Sequence, residues 1–383
     1  MSAQTLVSAA SGVVLPSDLW TRRLPKAYAE AAPQLVDTDR GLAWRAEGRL
    51  AAPLALPKAA RAPGSSPASA FSRTDVDWLA TAAGRLWLQQ REDVAGEVLY
   101  SLGGVWNLIQ GSADAGFVEA CTAAYNDWLA EVCASAPDRL IGIAKLPTTG
   151  AEAATAALTR AAGTLRLRGA LLDTWPGGPE CPPAMGECEA FWEAAEALRT
   201  PLSIYRSLAG EDERDPVVAG GAIPDYFSDL TTIIYANIPD KRPGIRFVSL
   251  STNAGWAPPA FEALNESYMR TASVRRVNLG DPDLYPSDYL RRFFSFVVQD
   301  DRVALLNRAY LGEAHMLWGS FALMGLDSAW PDGRQAFERA TAGLPDAFRA
   351  KLGGDNTARL YGVRNAEPFS DEEILAYDSY ALL

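Results

Sequence analysis

The chain has 383 residues, 48% of them hydrophobic, with 11 tryptophans and a formal net charge of −12. That much apolar material can bury a large core, and the composition is not that of a disordered or low-complexity protein. The acidic balance argues against a nucleic-acid partner, no apolar run of about 18 residues suggests a membrane span, and the residues before Ser8 lack the basic start and apolar stretch of a signal peptide.

A cytoplasmic protein with neither nucleic-acid nor membrane partners is therefore expected. Along the chain, short apolar runs alternate with longer helical patterns, as in repeated βα units around a parallel sheet. Leu6–Ala9 is the first predicted strand, and the Ala/Pro/Ser-rich stretch Ala51–Ser72 reads as a long loop. Strands follow at Glu97–Ser101 and Leu140–Leu146, with an outer helix, Gly116–Ala136, between them. After a second outer helix, Ala151–Ala162, come strands at Gly169–Leu172, Leu202–Tyr205, Phe247–Leu250, Phe293–Val297 and Met316–Ser320. These eight runs predict a (β/α)8 TIM barrel, a single domain over residues 1–383. Its long inserts, before the second strand and at Ala209–Pro243 and Ser267–Pro286, should sit over the barrel mouth or in a subunit contact. Cys121, Cys133, Cys181 and Cys188 include no Cys-x-x-Cys pair, so reduced structural thiols are expected.

Barrels of this kind work at the C-terminal ends of their strands. The positions selected are Ala10 and Gly12, Tyr100 and Trp106, Lys145, Asp173 and Trp175, Tyr205 and Arg206, Ser251, Asn253 and Trp256, and Phe321 and Met324. Most are small, aromatic or apolar. Lys145 stands out, because a lysine at the end of a buried strand must reach a carboxylate or lose solvation, and Asp173 is its plausible partner.

Several segments carry a resemblance. Ser8–Trp20, SAASGVVLPSDLW, is similar to an opening Asp-x-His...Glu-Pro...Asp-Leu-Trp, and Tyr125–Pro147, YNDWLAEVCASAPDRLIGIAKLP, to a Tyr-Asn-Asp-Trp-Leu helix followed by Pro-Asp-Arg-Leu and a strand. Pro201–Ser207, PLSIYRS, resembles a strand ending in a metal-binding His. Phe247–Pro258, FVSLSTNAGWAP, Leu317–Pro331, LWGSFALMGLDSAWP, and Gly353–Gly362, GGDNTARLYG, continue the pattern. The set resembles the second amidohydrolase group, the aminocarboxymuconate semialdehyde decarboxylase-like enzymes. That resemblance implies a metal-dependent barrel enzyme and a homo-oligomer, most often a dimer.

The chain departs from that pattern at the ligands. Ala10 and Gly12 stand at its Asp and His positions, Leu15 at its Glu, Tyr205 at a His, Ser251 at an acidic residue, Phe321 at an Asp and Met324 at a His. A catalytic ion needs about three protein ligands, and the single histidine, His315, begins a strand at the opposite end. No metal or other cofactor is therefore expected, and His315 reads as a structural residue of the stability face. A Gly-x-Ser-x-Gly elbow, a Ser-His-Asp arrangement and glycine-rich phosphate or dinucleotide loops are also missing.

The expected site pairs an apolar floor with a few polar groups. Lys145, Tyr205, Ser251 and Asp173 are the candidate catalytic residues. Gly12, Trp20, Tyr100, Trp106, Trp175, Asn253, Trp256, Phe321 and Met324 are the candidates for binding a small apolar substrate. The leading expectation is a metal-independent enzyme acting on a natural-product intermediate by cyclisation, pericyclic, isomerisation or elimination chemistry. A non-catalytic relative that binds a ligand or partner is the alternative, and a metal-dependent decarboxylase or hydrolase with other, oxygen-rich ligands is the second.

Overall fold

The computed structural model describes residues 5–61, 71–178, 183, 186–205, 223–250, 253–275, 279–324, 329–364 and 366–367. The described strands are β1 (Val7–Gly12), β2 (Gln34–Thr38), β3 (Gly41–Ala46), β4 (Arg49–Pro53), β5 (Gly96–Tyr100), β6 (Leu140–Lys145), β7 (Gly169–Leu172), β8 (Leu202–Ile204), β9 (Phe247–Ser249), β10 (Phe294–Val298) and β11 (Met316–Trp318). Eight of them pair in the order β1, β5, β6, β7, β8, β9, β10, β11, every neighbour parallel. The seam is drawn together where Ser11 bridges Ala322, with the Gly12 N–H donating to the Ala322 carbonyl at 2.7 Å and the Phe321 N–H to the Ala10 carbonyl at 2.9 Å. The result is the nearly closed (β/α)8 barrel expected from the alternating pattern. No helix among the described residues is long and apolar enough to cross a membrane.

Gly169–Leu172 is reproduced residue for residue, and most other strands move by a residue or two. The first strand runs past Ala9 to Gly12, because a register shift between Ser8 and Ser11 breaks the alternation by which it would be read. One expectation is corrected. Ala51–Ser72 is not loop from its start, since Ala51–Pro53 belong to β4, the edge of an antiparallel β2-β3-β4 sheet. The turn joining β3 to β4 has Glu47 at φ 48° and Gly48 at φ 75°, the paired left-handed conformation of a tight hairpin.

Alternation sorts the barrel strands into two layers. Val98, Ile141, Ile143, Leu171, Val248 and Val297 pack in the lumen, while Leu99, Leu140, Ala144, Leu172, Ile204 and Phe294 face the helices. Each fully buried Val, Leu or Ile contributes about 1.5–3 kcal/mol relative to exposure. The C-terminal helix Asn356–Tyr361 closes the N-terminal end of the lumen. Its Tyr361 hydroxyl lies 3.2 Å from that of Tyr100, which is 3.0 Å from Ser203 Oγ.

Asp301 ties the loop after β9 to the one after β10. Its Oδ2 accepts from the Ala254 and Gly255 N–H groups at 2.7 and 2.6 Å, and its Oδ1 caps the helix Arg302–Leu306 by accepting from Ala304 N–H at 3.0 Å. Asp301→Ala leaves three backbone donors to find other partners. It is expected to cost about 2 kcal/mol in urea denaturation, against a few tenths for an uncapped surface aspartate.

Candidate active site at the barrel mouth

Three neighbouring strands deliver three polar side chains to the same end of the lumen. On β6, Ile141 and Ile143 point inward, so Lys145, two residues on, points inward as well. Its backbone is fixed by Asn126 on the helix Ala115–Ala134, whose side chain accepts from the Lys145 N–H and donates to the Lys145 carbonyl, both at 2.9 Å. Asp173 follows β7 with the parity of inward Leu171, and Tyr205 follows β8 and packs against the lumen cluster. Because Leu172 is in register with Ile204, Asp173 and Tyr205 lie side by side.

Lys145 is 1% exposed and its ammonium makes an ion pair with Asp173, whose side chain keeps 22% of its exposure. The pair therefore has a dry end and a wet end. Gln110 Nε2 donates to the same Asp173 oxygen at 3.1 Å, and Lys145 Nζ sits 4.6 Å from the Trp106 ring centroid, a cation–π contact in a desolvated setting. Trp106 is anchored by donating to Ser101 Oγ at 2.7 Å. Gln110 and Asn126 have support roles that the sequence reading did not assign. Asn126 lay within the quoted Tyr-Asn-Asp-Trp-Leu match, which was the available signal.

The other sequence-selected residues divide. Phe321 lies in the lumen cluster with Ala10, and its backbone is left-handed at φ 54°. Gly12 lies beneath the segment that follows, where a Cβ would come within 2.6 Å of the Leu323 carbonyl oxygen and 3.1 Å of Met324 Cγ. Gly12 and Met324 thus pack on one another at the seam. Tyr100 is fully buried, with its hydroxyl spent inside the lumen. Trp20 is also fully buried, but in the outer layer, donating to the Cys121 carbonyl and meeting Trp44 edge-on at 5.1 Å and Trp106 at 6.0 Å. Trp175 is buried in that outer layer too. Asn253 and Trp256 stand apart on the loop after β9, Asn253 accepting from Gln299 N–H at 3.1 Å and Trp256 packing on Phe227. Ser251 and Arg206 lie outside the described residues.

The residues described do not fit the metal centre that the resemblance implies. Ala10, Gly12, Tyr205 and Phe321 occupy the matched strand ends, and among the described residues no three His, Cys, Asp or Glu side chains gather to hold an ion. Asp173, the carboxylate at the mouth, is neutralised by an ammonium that repels a cation. His315 precedes β11 and is buried, not exposed. Burial, with Arg246 adding to it, pushes its pKa down to about 4, so it is neutral. Cys121, Cys133 and Cys188 are buried and unbridged, and Cys181 lies outside the described residues.

A second ionisable cluster lies behind β1. Arg85 grips Glu97 with two bonds, 2.9 and 2.6 Å, and donates to the Gly12 carbonyl at 2.8 Å. Beside it Glu92, 1% exposed, has no donor at full hydrogen-bonding geometry on either oxygen. Burial, then the charge of Glu97, raises its pKa to about 8, with Ser320 and Arg85 opposing. The sequence signal was Glu97 itself, a charge inside the apolar run Gly96–Tyr100.

Comparisons with known proteins agree with this architecture. The family model for amidohydrolases matches residues 104–363. Among solved structures, an amidohydrolase from Mycobacterium avium subsp. paratuberculosis K-10 superposes with a TM-score of 0.71 at 16% identity, covering 94% of this chain and 100% of that one. The 5-carboxyvanillate decarboxylase of Sphingomonas paucimobilis gives a TM-score of 0.67 at 17% identity, covering 94% and 100%. The 2,6-dihydroxybenzoate decarboxylase of Rhizobium gives 0.62 at 17%, covering 94% and 99%. No curated protein sequence is significantly similar to the chain.

Proposed function

Since the chain belongs to the amidohydrolase family, we propose that it is a lyase- or cyclase-type enzyme that works without a metal on an apolar natural-product intermediate. The observation that carries the reading is the Lys145–Asp173 pair, a charge pair with its lysine end buried, at the strand ends of a largely apolar lumen. Barrel enzymes work at that end. Solved neighbours include decarboxylases of hydroxylated aromatic acids, three of the structures determined with manganese, and in this chain the described residues do not form such an ion's cage.

The Lys145 ammonium, held by Asp173, and the adjacent Tyr205 hydroxyl orient a substrate carbonyl or carboxylate and stabilise the charge that grows on its oxygen. Ala10 and Phe321 receive the hydrocarbon part, holding a reactive conformer away from water. Cyclisation and pericyclic rearrangement need only shape and such oxygen contacts; isomerisation and elimination also move a proton, which the Asp173 carboxylate takes up while the Tyr205 hydroxyl protonates the new carbon or the departing group. Ser251, next to this strand end in sequence, is a further candidate.

Incubating chelator-treated and untreated protein with a panel of apolar carbonyl and carboxylic-acid intermediates, read by mass spectrometry, is expected to give equal turnover. Lys145→Met is expected to lose about a hundredfold or more. Turnover that vanishes on chelation and returns with manganese would instead point to metal-dependent decarboxylation. The fully buried, hydrogen-bonded Tyr100 and the lumen-filling Phe321 favour a second reading, a non-catalytic ligand-binding relative. That reading expects binding without turnover.

A further inference from the structure

The order of the strands places unlike side chains on opposite sides of the mouth. Counted round the ring, β6, β7 and β8 are the third, fourth and fifth strands, β11 is the eighth and β1 the first. Lys145, Asp173 and Tyr205 therefore form one arc, and Phe321, which follows β11, lies across the barrel from Asp173, which follows β7. Ala10, Gly12 and Gly319 share the arc of Phe321, so its ring is the one large group of those four.

The backbone that carries this ring is unusual. Phe321 and Leu323 are both left-handed, at φ 54° and 60°, where an L side chain costs about 1–2 kcal/mol and glycine is the ordinary solution. The turn is nevertheless pinned at both ends, the Phe321 N–H donating to the Ala10 carbonyl and the Met324 N–H to the Phe321 carbonyl, each at 2.9 Å. Gly319 leaves the space against the ring open, since a Cβ there would lie 3.3 Å from Phe321 Cε2 and 3.1 Å from Ala10 Cβ. Burial of an apolar side chain this large returns about 1.5–3 kcal/mol. What keeps a phenylalanine in a glycine conformation is thus the lumen that its ring fills. The ring is 8% exposed and belongs to the cluster against which Tyr205 and Met324 pack.

We infer that Phe321 determines specificity at the mouth by limiting the hydrocarbon that a substrate extends away from Lys145. The inference rests on the reading of Lys145 and Tyr205 as the groups that hold the substrate's oxygen. Eight strands about 4.8 Å apart and tilted by about 36° make a barrel about 15 Å across from backbone to backbone. A lysine reaching in from one side and a phenylalanine from the other take up most of that span, which leaves room for about one ring or six carbons. The substrate class is therefore a carboxylic acid or ketone with one short apolar end, and a long acyl chain does not fit.

Titration calorimetry of the full chain with straight-chain carboxylates, butanoate to dodecanoate, tests the inference. Each buried CH2 tightens binding about fourfold, and in the wild type that gain is expected to stop near hexanoate or octanoate. Glycine suits the left-handed backbone and vacates the space of the ring. In Phe321→Gly the gain should run on to decanoate, which then binds at least about tenfold more tightly than it does to the wild type. Phe321→Leu, which keeps most of the volume, should stop in between, and it decides the matter should the glycine variant not fold. Lys145→Met separates this inference from the reading beneath it. If that variant binds every member as the wild type does while Phe321→Gly still moves the limit, the anchoring role of Lys145 fails and the limit set by Phe321 stands. An unchanged length limit in the folded Phe321 variants, or no saturable binding of any member, overturns the inference.

Discussion

Asp173→Ala is expected to lower the unfolding free energy by about 3 kcal/mol, and Lys145→Met by clearly less. The difference follows from where each end of the pair sits. Lys145 is 1% exposed, so removing its carboxylate takes from a buried ammonium an ion-pair partner that water does not reach in to replace, while the Trp106 face stays. Asp173 keeps 22% of its exposure and a bond from Gln110, so removing the lysine leaves a carboxylate that water and an amide still satisfy. Breaking a buried pair costs about 3–5 kcal/mol, and the residual exposure of Asp173 places this one at the lower end. Methionine also preserves most of the lysine stem's volume, which limits any cavity term. Urea denaturation of both variants is the measurement. Equal losses, or the reverse order, would mean that the ammonium is not the desolvated partner.

Glu92 sets the second large effect, on stability against pH. Its pKa is raised from the ordinary 4.5 to about 8. A carboxyl whose folded pKa exceeds its unfolded value contributes stability that is complete below about pH 4.5 and is lost as the pH rises through about 8. The folded protein is therefore expected to weaken steadily from mildly acidic to mildly alkaline pH, by a few kcal/mol from this group. Glu92→Gln, uncharged throughout, should flatten that decline and be the more stable protein near pH 9. Denaturation midpoints of both proteins between pH 5 and 9 decide it, and parallel curves would show that Glu92 ionises without penalty. The start of the helix Gly333–Ala340 adjoins the carboxyl, where a Cβ on Gly333 would fall 2.0 Å from Glu92 Oε1 and push the carboxyl aside.

The barrel was legible because its strands are buried on both faces, which makes each a continuous apolar run. Gly169–Leu172 needed nothing else. The β2-β3-β4 sheet was not, because its strands are mixed in polarity, and the hairpin at Glu47–Gly48 lacks the Asn-Gly or Asp-Gly signal. At the mouth, position at the C-terminal ends of strands together with the cost of burying a lysine was enough to pair Lys145 with Asp173. Position in sequence misled for Trp20 and Trp175, which pack in the layer outside the strands.

The seam of the barrel also bears on how the chain is made. Ser8 hydrogen-bonds Ser320 across 312 positions, and the Ser11–Ala322 bridge lies beside it. A nascent chain on the ribosome therefore carries β1 with one bare edge until almost the whole barrel has emerged. Contacts so distant in sequence form late, and bare strand edges recruit other chains while they wait. The time during which that edge stays open is set less by the protein's stability than by the synthesis of its last barrel strand.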